Sequence, residues 1–272
     1  MEKIQAALQK ARTRRETGAQ APAAPRTSTT TGSPIAGRQA RLWAELPEIA
    51  LSGTKLAHHH VVTQKASEKA TPFDIMRTKI LLQMQQNGWK SIAITSPMPK
   101  SGKTTTACNL ALGLGRQSGL RAMLFDLDLQ DPSIGHFLNH TPEAPISDFL
   151  TGNTPFAEQA VRVGENVAIS PSNRIETDPT RILLSPKTGE TLDAVQATYA
   201  PDIMIYDMPS ILVNDNTRAF LKNVDCALIV ARANHTRYGH FDACEREVAE
   251  YTNVLGVVLN AFRTKDVQSY MD

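Results

Sequence analysis

The chain has 272 residues, a net charge of +2 and 41% hydrophobic residues, which is enough apolar material for one large α/β domain with a buried core. Acidic and basic residues are interspersed, so the charge pattern gives no reason to expect nucleic acid as a partner. No apolar run approaches the roughly 18 residues that span a bilayer, and the first 15 residues lack the apolar core of a secretory signal.

The three cysteines, Cys108, Cys226 and Cys244, are odd in number and lack the spacing of metal ligands. Each lies within an apolar or amphipathic run, so we expect buried free thiols. Free thiols fit a reducing compartment, and together with the missing secretory signal they predict a cytoplasmic protein.

The N-terminal region divides into two parts. Residues 1–15 can form a short basic amphipathic helix, which could lie peripherally on an anionic membrane or dock to a partner. The alternative is a frayed, solvated terminus, because isolated helices of this length are marginally stable. From Thr17 to about Arg38 the chain is rich in Ala, Pro, Thr, Ser and Gly, which is typical of a disordered linker.

The domain is predicted to begin after this linker, so that residues 1–41 form the helix and linker and residues 42–272 form the domain. The stretch 42–49, with Trp43, is the first with apolar anchors, and we expect it to pack on the domain surface. The run His58-His59-His60 suggests a metal site. However, three consecutive residues cannot all face one ion in a regular element, and solvated histidines are the preferred interpretation.

Helical and strand patterns alternate through the rest of the chain. Short β-branched runs alternating with helices predict an α/β fold with a mostly parallel central sheet and helices on both faces. Residues 133–165 look like a mixture of short helices and turns. The predicted helices are residues 72–86, 179–198 and 237–252, and the predicted strands are 92–95, 120–126, 167–170, 203–207, 227–231 and 254–260.

The strand, loop and helix over residues 92–115 are the part around which the chain is organised. The loop closely approaches the phosphate-binding motif G-x-x-x-x-G-K-[ST], with Pro97 in place of the first glycine. Unpaired N–H groups at a helix start bind polyphosphate, and Gly102 has no side chain to block that approach. Lys103 would reach the outer phosphates and the Thr104 hydroxyl would ligate Mg²⁺. The alternative is a solvated turn that matches the motif by chance.

Carboxylates after two other predicted strands argue against a chance match. Asp126 and Asp128 end one strand, and Asp207 ends another. Ligands of parallel α/β sheets bind at the carboxyl ends of the strands, where an Asp can hold Mg²⁺ against bound phosphates. Any single Asp after a strand is more often a cap or turn residue, but the combination with Gly102-Lys103-Thr104 predicts a nucleotide-binding P-loop domain.

Several motifs from residue 71 to the C-terminus share an order and spacing with a known family. They are Phe73…Met76-Arg77-Thr78, Thr95-Ser96-x-x-Pro99-x-x-Gly102-Lys103-Thr104-Thr105, Phe125-Asp-Leu-Asp-Leu-Gln-Asp-Pro-Ser133, Ser147-Asp-Phe-Leu-Thr-Gly152, Tyr206-Asp-Met-Pro209, Asp215 and Gly256-Val-Val-Leu-Asn260. In this respect the chain resembles the bacterial tyrosine kinases of capsule and exopolysaccharide synthesis, P-loop proteins related to the partition and septum-site ATPases. Met98 stands where partition ATPases carry a second lysine, which disfavours that branch.

The resemblance implies a role for each matching residue. The ATP phosphates would be held by Ser101, Gly102, Lys103, Thr104 and Thr105, and Mg²⁺ by Thr104, Asp126 and Asp207. Asp128 or Asp126 would take the proton of the incoming tyrosine, Asn260 would lie by the adenine, and Tyr270 is the candidate phosphoacceptor. A base is needed because a free phenol has a pKa of about 10.

The resemblance also implies partners. A cytoplasmic kinase of this type would act with a membrane polysaccharide co-polymerase, whose cytoplasmic tail activates it, and could form a homo-oligomer. Three features depart from the family pattern: a single tyrosine near the C-terminus, Thr71 and Asp74 in a helix that usually reads Glu-x-x-Arg-x-x-Arg, and Gln130 in place of an arginine. The alternative function is a partition-type ATPase switch that hydrolyses ATP without phosphorylating protein. A third hypothesis is a scaffold that binds ATP without turning it over. The intact Lys103 and the carboxylates Asp126, Asp128 and Asp207 disfavour it.

Overall fold

The computed structural model describes residues 34–262, with side chains from residue 37 onward. The predicted basic helix over residues 1–15 and Tyr270 lie outside the described residues. The strands are β1 Ser91–Thr95, β2 Ala122–Asp126, β3 Val161–Val163, β4 Val167–Ser170, β5 Ile203–Asp207, β6 Cys226–Arg232 and β7 Asn253–Asn260. The helices are α1 Pro34–Glu45, α2 Gly53–His58, α3 Thr71–Asn87, α4 Lys103–Leu114, α5 Ile134–Leu138, α6 Ile146–Leu150, α7 Phe156–Gln159, α8 Pro179–Leu184, α9 Pro186–Tyr199, α10 Asn216–Leu221 and α11 Tyr238–Tyr251, with a 3-10 turn at Glu68–Ala70.

The seven strands form one sheet in the order β3-β4-β2-β5-β1-β6-β7. All neighbouring pairs are parallel except β3 and β4, which are antiparallel. The predicted fold class, a mostly parallel sheet with helices on both faces, is therefore confirmed. Strand β3 was not predicted, because three residues within a stretch that also contains short helices give too little alternation to indicate a strand.

Apolar side chains cover both faces of the sheet. Successive residues of β2 point to opposite sides, so that Met123 and Phe125 pack in one buried cluster while Leu124 packs in the other. The second cluster also contains the buried face of α4, with Leu110 and Leu114. Burial on both faces explains why the strands are short continuous apolar runs rather than alternating ones. None of the helices in the described part of the chain is long and apolar enough to cross a bilayer.

Two helices differ from the prediction. Helix α1 begins at Pro34, inside the stretch predicted to be linker as far as Arg38. It is ordered by Trp43, which lies in the core rather than on the surface and donates from Nε1 to the Tyr199 carbonyl at 2.9 Å. The single helix predicted over 179–198 is two helices, because Pro186 forces Ser185 into an extended conformation (φ −60°, ψ 131°).

Replacing Trp43 with alanine should destabilise the domain by about 3–5 kcal/mol, the usual cost of truncating a buried Trp. The substitution would leave a cavity, orphan the Tyr199 carbonyl and remove the ring over which Arg121 lies at 5.4 Å. Urea denaturation would measure the effect. Leu82→Ala is the matched control: Leu82 is 62% exposed, so its truncation should change the free energy of unfolding by less than about 0.5 kcal/mol. Equal losses in the two variants would contradict the anchoring role.

Candidate nucleotide-binding site

The loop between β1 and α4 (residues 96–102, the phosphate loop) is shaped by its own hydroxyl groups. Ser96 Oγ and Ser101 Oγ both donate to the Met98 carbonyl, at 2.8 and 2.7 Å. Lys100 and Gly102 adopt left-handed conformations, with φ of 61° and 92°. No side chain caps the start of α4, so the N–H groups of its first turn remain available to an anion.

The ends of β6 and β7 support this loop from outside. Asn260 Nδ2 donates to the Ser101 carbonyl at 2.9 Å, and Arg232 Nη1 donates to the Lys100 carbonyl at 2.9 Å. Asn260 and Arg232 are register partners on the two strands. The structure thus places Asn260 against the phosphate loop, and the adenine contact expected from the resemblance stays a prediction. Arg232 was not predicted, because an arginine at a strand end carries no local signal of a contact 132 residues away.

The predicted metal-binding residues are brought together. Asp126 and Asp207 face each other in register at the ends of β2 and β5, and both are fully buried. Thr104 Oγ1, in the first turn of α4, donates to Asp207 Oδ2 at 2.6 Å. Asp126 Oδ2 accepts from the backbone N–H groups of Ser133 and Ile134 at 3.1 and 2.9 Å.

Each of these two carboxylates keeps one oxygen without a partner. Among the described residues, Asp126 Oδ1 and Asp207 Oδ1 are buried and make no hydrogen bond. Two such oxygens beside a threonine hydroxyl are the hard donors that Mg²⁺ prefers. Within residues 34–262, no three His, Cys, Asp or Glu side chains are grouped to hold a metal by themselves. The site therefore fits Mg²⁺ bound together with phosphate and water oxygens.

Burial sets the protonation of the site. Burial raises the pKa of Asp207 to about 7, against the opposing effects of the Lys103 charge and the Thr104 hydrogen bond. Burial and the neighbouring Asp207 raise the pKa of Asp126 well above its usual range. In the nucleotide-free protein the two carboxylates therefore resist ionising together.

Asp128 lies beyond the end of β2 and is less buried than Asp126. Burial raises its pKa to about 6, and the Lys103 charge holds it down. Lys103 itself is almost buried, and its Nζ lies 3.5 Å from Ser210 Oγ. A lysine, a carboxylate that is mostly ionised at neutral pH and a buried carboxylate pair thus meet at one edge of the sheet.

Other predicted positions lie beside the site rather than in it. Thr105 Oγ1 points away from the phosphate loop and contacts the His59 carbonyl at 3.4 Å. The His59 ring stacks on Phe137 at 4.3 Å, and His58 and His60 are exposed. The predicted free thiols are present: Cys108, Cys226 and Cys244 are buried and unpaired.

The family assignment follows from a comparison with known domains. The model of the CobQ/CobB/MinD/ParA nucleotide binding domain matches residues 92–272, about two thirds of the chain. The chain belongs to this family. The match covers the phosphate loop and both carboxylate-bearing strands described above.

Similar proteins in this family are named as tyrosine kinases. Tyrosine-protein kinase YwqD of Bacillus subtilis is 27% identical over 214 residues, which cover 77% of this chain and 88% of YwqD. The putative tyrosine-protein kinase EpsB of Ralstonia solanacearum is 24% identical over 188 residues, which cover 68% of this chain and 25% of EpsB. The chain thus spans about a quarter of the EpsB length. The predicted resemblance to bacterial tyrosine kinases is confirmed.

Solved structures show the same fold. The chimerical protein CapA2B2 superposes with a TM-score of 0.69 at 21% identity, covering 84% of this chain and 99% of that one. The kinase domain of Escherichia coli tyrosine kinase ETK superposes with a TM-score of 0.65 at 20% identity, covering 73% of this chain and 79% of that one. Cobyrinic acid a,c-diamide synthase from Mycobacterium smegmatis with bound ADP and magnesium is similar at a TM-score of 0.55 and 22% identity, covering 67% and 79%.

Gly102→Ala should weaken nucleotide binding at least about tenfold, or about 1.4 kcal/mol. A Cβ there would lie 2.0 Å from Asn260 Nδ2, and the φ of 92° is strained for any side chain. Gly88→Ala is the matched control, because Gly88 is also left-handed (φ 70°) but has no atom within 4 Å of an added Cβ. Calorimetric titration with ADP should show normal affinity for Gly88→Ala, and partial recovery when Asn260→Ala is added to Gly102→Ala. Equal affinities for Gly102→Ala and wild type would contradict the assigned loop geometry.

Asp207→Asn should stabilise the nucleotide-free protein at pH 8, by up to about 4 kcal/mol. The folded pKa of about 7 exceeds the unfolded value of 3.8, so the carboxyl of Asp207 destabilises the wild type progressively as the pH rises from about 4 to about 7. The amide carries no charge, and its oxygen can still accept from Thr104. Urea denaturation from pH 4.5 to pH 8 should show an advantage that grows through this window and then levels off. A pH-independent difference would contradict the burial effect.

Proposed function

We propose that the chain is an ATP-dependent protein-tyrosine kinase that phosphorylates itself and acts in exopolysaccharide or capsule production. The observation that carries this proposal is the half-buried carboxylate of Asp128, which lies at the same edge of the sheet as Lys103 and the phosphate loop. The relatives named tyrosine-protein kinases support the same conclusion.

In this proposal the phosphate loop and the start of α4 hold ATP. Ser101, Gly102, Lys103, Thr104 and Thr105 provide the cradle, chiefly through backbone N–H groups. Thr104, Asp126 and Asp207 would hold Mg²⁺, which neutralises phosphate charge when bound. The open N–H groups of α4 and the two unpaired carboxylate oxygens support this arrangement.

Asp128 is the better candidate for the base. One oxygen of Asp126 is occupied by two backbone N–H groups, and its buried position beside Asp207 suits a metal ligand. Asp128 is more accessible, and its pKa of about 6 leaves it mostly ionised at pH 7 while still able to accept a proton. It would take the proton from the tyrosine hydroxyl as the phenolic oxygen bonds to the terminal phosphorus of ATP and ADP leaves.

The acceptor tyrosine must be accessible. Tyr199 and Tyr206 are buried, whereas Tyr238 is 82% exposed and Tyr251 is 41% exposed. Tyr270, the candidate from the sequence, lies outside the described residues. Within the proposed function, the acceptors to be considered are therefore Tyr270, Tyr238 and Tyr251.

The proposed partner is the cytoplasmic tail of a membrane polysaccharide co-polymerase. In this proposal the kinase lies in the cytoplasm, and residues 1–15 contact the membrane or the partner.

Homo-oligomerisation is also proposed from the resemblance. Charged side chains of α3 are already paired within the same chain. Arg77 Nη1 donates to Asp74 Oδ1 at 2.8 Å and to the Gly113 carbonyl at 2.9 Å. An assembly that uses α3 would therefore rely on its exposed apolar residues, Ile75 and Leu82.

Incubation with Mg·ATP followed by intact and peptide mass spectrometry tests the proposal. Phosphate is expected on Tyr270, Tyr238 or Tyr251, with a greater yield when the partner's cytoplasmic tail is present. Lys103→Ala should form no phosphotyrosine, because the outer phosphates lose their cation. Asp128→Asn should retain ADP binding and lose at least about tenfold in phosphorylation rate, in the range for removal of a general base.

The partition-type ATPase switch is the competing function, and the family description, which includes MinD and ParA, is the observation in its favour. Formation of ADP without phosphotyrosine, with the partner present, would decide for the switch. Unchanged ATP turnover in Lys103→Ala would contradict both functions at this site.

A further inference from the structure

Ser210 lies in the loop after β5, three residues beyond Asp207, and is 3% exposed. Its hydroxyl contacts Ser96 Oγ at 3.0 Å and Lys103 Nζ at 3.5 Å. Ser96 is fully buried at the other side of this contact, directly after β1. Two serines from adjacent strand ends thus form a buried pair of hydroxyls beneath the lysine of the phosphate loop.

The direction of these hydrogen bonds can be deduced. The single proton of the Ser96 hydroxyl is donated to the Met98 carbonyl at 2.8 Å, so Ser210 must donate to Ser96 Oγ. A lysine ammonium can only donate, so Ser210 Oγ accepts from Lys103. The chain of bonds runs from Lys103 through Ser210 and Ser96 to Met98, and it ends on the carbonyl that shapes the phosphate loop.

Ser210 is held firmly in this position. Ile211 N donates to the Ser96 carbonyl at 3.0 Å, and Thr95 Oγ1 donates to the Pro209 carbonyl at 2.7 Å. Thr217 Oγ1 donates to the same Pro209 carbonyl at 2.7 Å. The backbone on both sides of Ser210 is therefore fixed to the end of β1 and to α10, and the Ser210 hydroxyl is placed between Ser96 and Lys103.

Lys103 needs such a partner. In the part of the chain that the structure describes, Ser210 provides the hydrogen bond to its ammonium, and no carboxylate lies within ion-pair distance of it. A nearly buried cation without a partner would be drawn toward the acidic groups at this edge of the sheet, Asp128 and Asp207. An ion pair there would remove Lys103 from the position in which it meets phosphate.

We propose that Ser210 is a positioning residue for Lys103, which holds the ammonium ready for phosphate and clear of the carboxylates before the nucleotide arrives. The inference rests on the proposed function in so far as that function assigns Lys103 to the ATP phosphates. A cation placed in advance reduces the reorganisation that accompanies binding. Ser210 itself need not touch the nucleotide.

A double-mutant cycle between Ser210 and Lys103 tests the proposal. Affinities for Mg·ADP and for a non-hydrolysable ATP analogue would be measured by calorimetry for wild type, Ser210→Ala, Lys103→Met and the double variant. Ser210→Ala should weaken binding about fivefold, as expected for a long hydrogen bond to a charged group. In the Lys103→Met background the same substitution should change the affinity less than about twofold.

Two further variants separate positioning from packing. Ser210→Thr keeps the hydroxyl and should retain most of the affinity. Ser172→Ala removes another nearly buried hydroxyl, from the loop after β4, whose contact with the Arg174 carbonyl is 3.4 Å; it should leave the affinity unchanged. A crystal structure of nucleotide-free Ser210→Ala should show Lys103 Nζ displaced toward Asp128 or Asp207.

Three results would overturn the proposal: unchanged affinity in Ser210→Ala, an equal loss in the Lys103→Met background, or an unmoved Lys103 in the crystal structure. The structural result decides if Lys103→Met binds too weakly to titrate. The kinase function and the role of Ser210 can be contradicted independently. A wild-type chain that binds ADP but forms no phosphotyrosine would contradict the kinase function, and the double-mutant cycle could still be measured.

Discussion

The constraint on which the site depends is the buried pair of carboxylates at the ends of β2 and β5. Parallel register places Asp126 directly beside Asp207, where burial opposes the charge that both would carry in water. Backbone N–H groups and Thr104 each satisfy one oxygen of the pair, and the other two remain unpaired. The fold therefore holds an electrostatic cost that a divalent cation can offset, and the sheet itself would supply much of the affinity of the proposed Mg²⁺ site.

The phosphate loop is held in place in a similar way, by contacts from strands that are distant in sequence. Its inner side is tied to the loop after β5 through Ser96 and Ser210, and its outer side to β6 and β7 through Arg232 and Asn260. A loop with two left-handed residues, Lys100 and Gly102, is costly to hold in one conformation, because Lys100 is strained there and the whole loop loses conformational freedom. Because the strand ends are rigid, these contacts can impose a single conformation, and no side chain caps the first N–H groups of α4.

Features with a local sequence pattern could be predicted, whereas features that depend on contacts between distant parts of the chain could not. Buried parallel strands, the phosphate loop and aspartates at strand ends have local patterns, and the structure has each of them. Strand β3 is too short to show a period, and α1 is ordered by Trp43 packing against Tyr199, which a linker-like composition conceals. Arg232 and Ser210 could not be identified, because their roles depend on contacts more than 100 residues away in sequence.

The departure from the family pattern at Gln130 can be explained by its contacts within the same chain. Gln130, one of the positions that depart from that pattern, accepts from Asn214 at 3.0 Å, and the adjacent Leu129 carbonyl accepts from Glu176 N at 2.8 Å. The loop that carries Asp128 is thus tied to the loops after β4 and β5 by neutral groups. An arginine at position 130 would add a second cation near Asp128, which would oppose the effect of burial and lower the pKa of Asp128. A neutral bridge keeps the loop in place, and the nearby charges that act on the pKa of Asp128 are those of Lys103 and Asp131.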